Sequence, residues 1–417
     1  MPRVAMISEH ANPVGALGGT DGGGQNVYVE QVSRGVAHLG FGVDVYTRAD
    51  NPHALAPRQI DDDVWVLPVP AGPLAPIPKD AIWPYLPEFL TNMLRLARGR
   101  PSCDLIHSNF WMSGWLGAEL KSRWQIPLVH IFHALGVVKR QHQGAADTSP
   151  AERFAVECAV LRAADLVIAQ CPSEIEELAE WYAADIRRIR VVPSGVDVTR
   201  FYPVPREQTR PSLGIPLDQL VAVYVGRLVP RKGVENAIRA IPFLDPTVAE
   251  RFQLLVVGGE TAEVDLEREP EIRRLRKVAD TFGIRDRVHF VGHHATDLLR
   301  NYYSAADVFV STPWYEPYGL TPLEAMACGT PVICSAVGGM QFTVADGSTG
   351  FLVTPEMPDE LARRLNQILL DPNLQQTFSA NARRRIQHSF TWPTVARRTA
   401  DLYKDVLNGR TQSSEAA

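Results

Sequence analysis

What most constrains this chain is a pattern that runs once, breaks, and runs again. In the first half, short apolar runs at 3–8, 43–47, 64–69, 104–107, 127–132, 165–169 and 189–192 alternate with helical periodicity at 25–39, 82–98, 112–124, 151–163 and 173–182. That alternation predicts βαβ units on a parallel sheet. The segment PSGVDVTRFYPVPREQTRPSLGIP, 193–216, is rich in Pro, Gly and Arg and reads as a linker. Strand-like runs then resume at 220–225, 252–257, 288–291, 308–311 and 331–334, among helical segments at 233–243, 267–282, 295–305, 322–328, 359–370 and 373–388. The prediction is an α/β protein of two domains, 1–205 and 206–390, joined so that their strand ends face each other across a cleft. The amphipathic stretch 391–407 need not belong to the second domain, and the polar tail from Gly409 reads as unstructured.

Parallel sheets bind ligands at the carboxyl ends of their strands, so chemistry is sought in the loops that follow them. The loop GALGGTDGGGQNVYVEQ, 15–31, follows the first strand and opens a helix. Glycines admit a ligand close to the backbone, and a helix start offers free N–H groups. It is neither a dinucleotide-binding GxGxxG nor a P-loop. In GRLVPRKGVENAI, 226–238, Arg227 and Lys232 follow a strand and precede a helix, an arrangement suited to a diphosphate and otherwise an ordinary solvated basic loop.

The stretch WYEPYGLTPLEAMACGTPVICSAVGG, 314–339, holds Glu316 and Glu324. Thr321-Pro322-Leu323-Glu324 matches a capping box, which gives Glu324 a structural job beside any ligand contact. Glu316 has no such job, and is either solvent-exposed or accepts hydrogen bonds from a polyol. Tyr318, Gly319 and Leu320 place backbone N–H groups between the two carboxylates. His133 ends a strand in a loop expected to face the cleft, whereas His130 is expected to pack inward. The pair His293-His294 lacks partners at metal-ligand spacing, so no metal is expected.

Bulk properties exclude several classes. A net charge of −5 gives no general attraction to nucleic acid or anionic membrane. Five cysteines without a CxxC pair read as reduced thiols of a cytoplasmic protein. No apolar run approaches the roughly 18 residues needed to span a bilayer, and the N-terminus shows no signal-peptide pattern. The segment 71–100 could lie on a membrane surface, but reads better as a core helix behind a Pro-rich loop.

Together these motifs resemble the retaining GT-B glycosyltransferases of the family that contains sucrose-phosphate synthase and the mycothiol-pathway glycosyltransferase. The resemblance runs from Asp21-Gly22-Gly23-Gly24-Gln25 through GRLVPRKG and the Glu-x7-Glu stretch to the last helix. It implies two Rossmann-like domains, with 391–407 crossing back onto the first. It implies a nucleotide-diphosphate sugar as donor, UDP favoured, and no required cofactor or metal. Gly23 and Gly24 resemble the loop that packs on the donor diphosphate, His133 the histidine that contacts the transferred sugar, and Arg227 with Lys232 the diphosphate clamp. Glu316 resembles the glutamate on the donor sugar, with Tyr318, Gly319, Leu320 and Thr321 beside it, and Glu324 the one on the ribose. Gln25, Asn26, Lys79, Phe110 and Arg153 fall where the acceptor is bound.

Two positions depart from the inositol-phosphate pattern. HSNFW has Phe110 in place of Tyr, and HAL has Ala134 in place of Thr, so two hydroxyl donors to an acceptor phosphate are missing. Lys139 and Arg140 lie nearby and keep an anionic acceptor open. The expected reaction is front-face transfer of a hexosyl unit to a hydroxyl of a sugar, polyol or their phosphates. The alternatives are a nucleotide-sugar epimerase and a non-catalytic nucleotide-sugar-binding protein.

Overall fold

A computed structural model describes residues 1–14 and 23–415. Its contacts divide the chain into one unit of Met1–Ser194 with Trp392–Ala417 and another of Gly195–Thr391. The division lies upstream of the 205/206 boundary read from the sequence.

The first unit holds β1 (Arg3–Ile7), β2 (Gly42–Arg48), β3 (Arg58–Asp61), β4 (Val64–Val69), β5 (Leu105–Asn109), β6 (Leu128–Ile131), β7 (Leu166–Ala169) and β8 (Ile189–Val191). They form one sheet in the order β3-β4-β2-β1-β5-β6-β7-β8, parallel except where β3 pairs with β4. Helices cover both faces, which is why the central strands read as unbroken apolar runs. The order reverses between β1 and β5.

The last helix, Trp392–Glu415, belongs to this unit, and it continues through the tail from Gly409 that had read as unstructured. It crosses helix Gly24–Ala37 where a side chain on Gly35 would overlap the Ala396 methyl. Its Tyr403 hydroxyl hydrogen-bonds to the buried His107 Nδ1.

The second unit holds β9 (Leu220–Val225), β10 (Phe252–Val257), β11 (Val288–Gly292), β12 (Val308–Ser311), β13 (Val332–Ser335) and β14 (Gly350–Val353). All are parallel, in the order β11-β10-β9-β12-β13-β14, with the reversal between β9 and β12. The expected linker 193–216 is instead largely part of this fold. Residues Arg206–Ser212 are helical, and Arg206 and Arg210 both bind Asp307, at 2.6 and 2.8 Å. Val196 donates its N–H to Phe390 O. Two of the arginines behind the linker reading, Arg206 and Arg210, are the ones that tie it down.

Segment 71–100 packs as a core helix. Leu86, Phe89, Leu90 and Met93 are buried, and the guanidinium of Arg48 donates to Pro73 O (2.7 Å) and Ala75 O (2.8 Å), folding the Pro-rich loop. Among the described residues no helix is long and apolar enough to cross a membrane.

Candidate active site

In open α/β sheets the reversal of strand order leaves a crevice beyond the strand ends, where ligands bind. In the second unit the loops at that place are 226–233 after β9 and 312–320 after β12, which carry Lys232 and Glu316. The two loops interlock. Gly233 has φ +68°, and a Cβ there would overlap the carbonyl oxygen of Thr312. The Thr312 hydroxyl donates to Gly233 O (2.9 Å), Trp314 N–H to Arg231 O (3.2 Å), and Arg231 Nη1 to Tyr315 O (3.0 Å).

This docking sets Lys232 Nζ on Glu316 Oε2, with Arg231 Nη1 3.7 Å from the same oxygen. Glu316 therefore does have a protein partner, 84 positions away in the chain. Burial alone would raise its pKa, but Lys232, Arg231 and Arg227 together hold it below the usual carboxylate value. Burial lowers the Lys232 ammonium, and Glu316 restores only part of that loss. The pair is a half-buried positive and negative charge satisfied by each other.

On the far side, Gly338 and Gly339 pack against the Glu316–Tyr318 backbone too closely for any side chain, and Gly339 N–H donates to Pro317 O at 3.0 Å. Gly319 turns with φ +84°. The expected capping box is absent. Helix Thr321–Ala327 has Leu320 as its N-cap, without a side-chain cap, and Thr321 and Pro322 lie inside it. Glu324 points elsewhere, its Oε2 accepting from the Tyr303 hydroxyl at 2.7 Å. Burial pushes the Glu324 carboxyl up to about 7, against the opposing pull of Tyr303 and Arg200.

In the first unit the reversal falls between the loops after β1 and β5. Residues 15–22 of the Gly-rich loop, including Asp21 and Gly22, lie outside the described residues. Gly23 is the N-cap of helix Gly24–Ala37. Asn26 is buried and its amide is committed to this loop, with Oδ1 accepting from Gly23 N–H (3.0 Å) and Nδ2 donating to Asn12 O (2.9 Å). Gln25 Nε2 reaches Ser8 Oγ at 3.2 Å and Asn109 O at 3.4 Å.

His133 follows β6 with φ +60°, its Nε2 3.1 Å from Asn109 Oδ1. Burial drives its pKa well below the ordinary value, helped by His107, His130 and His10. His130 is wholly buried, with Nδ1 2.8 Å from Ser108 Oγ.

The acceptor candidates also gather. The Arg153 guanidinium stacks over the Phe110 ring at 5.0 Å. It donates to Glu157 Oε1 (2.8 Å), Ser149 Oγ (3.1 Å) and Ala134 O (2.6 Å). Lys139 shares Ser149 Oγ at 3.0 Å and pairs with Asp147 at 2.9 Å, and Arg140 lies 3.6 Å from the same carboxylate. Against the opposing effect of burial, Lys139 and Ser149 hold Asp147 down at about 2. Lys79 sits in the turn Lys79–Ala81, whose Asp80 accepts from the Thr148 hydroxyl.

Sequence reasoning missed Glu9 and His10. Glu9 is fully buried, takes a hydrogen bond from the Ser113 hydroxyl, and holds His10 Nδ1 at 2.6 Å. The His10 ring meets the Phe110 ring edge-on at 4.9 Å. The available signal was a carboxylate and a histidine, adjacent, at the end of the central strand. Among the described residues no group of three His, Cys, Asp or Glu could hold a metal ion.

Comparison with known proteins bears on both halves. Residues 22–200 match the family model described as Glycosyltransferase Family 4, and 205–385 the model described as Glycosyl transferases group 1. The chain is 38% identical to the D-inositol 3-phosphate glycosyltransferase of Acidothermus cellulolyticus, over 98% of this chain and 91% of that one. It is 37% identical to a sucrose-phosphate synthase from Thermosynechococcus elongatus, with a TM-score of 0.88 over 98% of this chain and 100% of the other. HepE from Anabaena, solved with UDP and glucose, shares the fold at 21% identity and a TM-score of 0.76, over 97% of this chain and 100% of that one.

Proposed function

The chain belongs to the GT-B glycosyltransferases, and from that premise we propose that it transfers a hexosyl unit from a nucleotide-diphosphate sugar, UDP favoured, to a hydroxyl of a sugar, a polyol or one of their phosphates, with retention of configuration. The observation that carries this reading is the interlocking of loops 226–233 and 312–320, which brings Lys232 onto Glu316 at the strand reversal. One donor molecule engages both: its diphosphate takes Lys232 and Arg227, and its sugar hydroxyls donate to Glu316. Tyr318, Gly319, Leu320 and Thr321 flank the sugar and phosphate, and Glu324 accepts from the ribose. Gly23 and Gly24 face the diphosphate, and His133 the transferred sugar.

As the nucleoside diphosphate leaves, negative charge develops on its phosphate. Lys232 and Arg227 stabilise that charge. Retention follows if the acceptor hydroxyl attacks from the face the phosphate leaves, the departing phosphate oxygen taking the hydroxyl proton. Gln25, Asn26, Lys79, Phe110 and Arg153 frame the acceptor, Asn26 by shaping the loop. Relatives named for inositol 3-phosphate and sucrose phosphate, and the cations Lys79, Lys139 and Arg153, favour a phosphorylated acceptor. Phe110 and Ala134 set it apart from an inositol-phosphate site.

The donor reading is tested by thermal shift with UDP, GDP and ADP. A ligand that binds the folded state raises Tm by an amount that grows with the logarithm of its concentration over its Kd, so at equal concentration UDP should give the largest rise. A larger rise with GDP or ADP reassigns the base. No shift with any of the three refutes the site.

A further inference from the structure

Asn109 closes β5 and His133 follows β6, so both stand at the carboxyl ends of neighbouring strands. The Asn109 side chain is fully buried, and its partners fix which way its amide points. Its Nδ2 lies 3.2 Å from the Ile7 carbonyl oxygen, which can only accept, so that end is the donor. Oδ1 then faces His133 Nε2 at 3.1 Å, and an acceptor in that place requires a proton on Nε2.

Burial above all keeps the ring neutral, and His107 on β5, His130 on β6 and His10 after β1 add to it. Tyr28, from helix Gly24–Ala37, closes edge-on against the ring at 4.9 Å. A neutral imidazole with its proton on Nε2 carries its lone pair on Nδ1. The backbone beside this bond is in a costly form: His133 has φ +60° and Phe110, directly after Asn109, has φ +77°. A bulky residue in the left-handed region persists only where its surroundings enforce it.

We propose that Asn109 is a positioning residue that holds His133 in the Nε2–H tautomer and so presents Nδ1 as a hydrogen-bond acceptor to a hydroxyl of the transferred sugar. This rests on the reading of His133 as the group facing that sugar. Asn109 acts through the His133 ring. With the proton on Nδ1 instead, Nε2 would set its lone pair against Asn109 Oδ1, and the ring could only donate to that hydroxyl, not accept its proton.

The test needs no variant to begin. In the intact protein labelled with 15N-histidine, the His133 ring should show a protonated Nε2 and a bare Nδ1 at pH 7. In Asn109→Ala the tautomer should become mixed, and kcat should fall roughly tenfold to a hundredfold while KM for UDP-hexose moves less than about threefold. In Asn109→Asp the added carboxylate should favour the imidazolium and move the acid limb of the kcat profile up by about one pH unit or more. A wild-type His133 protonated on Nδ1, or an Asn109→Ala protein with wild-type tautomer and pH profile, overturns the proposal. A wild-type protein that shows the expected tautomer but transfers no sugar overturns the substrate reading and leaves the tautomer assignment standing.

Discussion

Lys232→Ala should lower kcat/KM for the nucleotide sugar by at least about a hundredfold, the loss that follows removal of one preorganised group facing developing charge. Two effects add in this variant. The leaving diphosphate loses a cation, and Glu316 loses the strongest of the three cations that keep it ionised in a half-buried place. Glu316→Gln should cost a similar factor, because the amide cannot accept from sugar hydroxyls with the strength of a carboxylate. If both residues hold one donor, their effects are coupled, and the double variant should lose far less than the product of the two single losses. Steady-state kinetics on the four proteins checks this. A change within threefold for either single variant, about 0.6 kcal/mol, would remove these residues from the mechanism.

Arg153→Ala should be the most damaging single substitution for stability. Arg153 and Glu157 are both fully or almost fully buried, and the guanidinium is the only cation paired with that carboxylate among the described salt bridges. Removing one member of a buried ion pair leaves an uncompensated charge and costs about 3–5 kcal/mol. Glu157 keeps the Tyr182 hydroxyl and the Gly136 N–H, at 3.0 Å, as partners, which places the expected loss toward the lower end. Replacing the pair together, Arg153→Met with Glu157→Gln, should recover much of it. Chemical denaturation of the three variants measures both. A loss below about 1 kcal/mol in Arg153→Ala would mean that the pair is hydrated and contributes little. Three of the five guanidinium N–H groups are already used among the described residues, which leaves two for the proposed acceptor phosphate.

How far the sequence was legible depended on the range of each interaction. Buried parallel strands announce themselves as continuous apolar runs, and nearly all were found. The edge strand β3, Arg-Gln-Ile-Asp, has no such run, and β14 opens on Gly350, which lies against Val332 too closely for a side chain and reads as a loop. Residue types at the site were legible, and their partners were not. Glu316 seemed to lack a structural role because Lys232 is 84 positions away. Thr321 and Glu324 matched a local capping pattern that Tyr303, 21 positions earlier, overrides. Arg206 and Arg210 looked like linker residues because Asp307, roughly a hundred positions on, cannot be paired with them from the sequence. The Asn109–His133 bond and the two positive φ angles beside it are invisible to any pattern of residue types.

The central claim is that the chain moves a sugar from a nucleotide with retention. Its most direct measurement is 1H NMR of the anomeric protons while the protein acts on UDP-glucose or UDP-N-acetylglucosamine with a panel of sugar and inositol phosphates. The account predicts release of UDP together with a new α-linked product. A β-linked product, an isomerised UDP-sugar without release of UDP, or no turnover with any nucleotide sugar would contradict it.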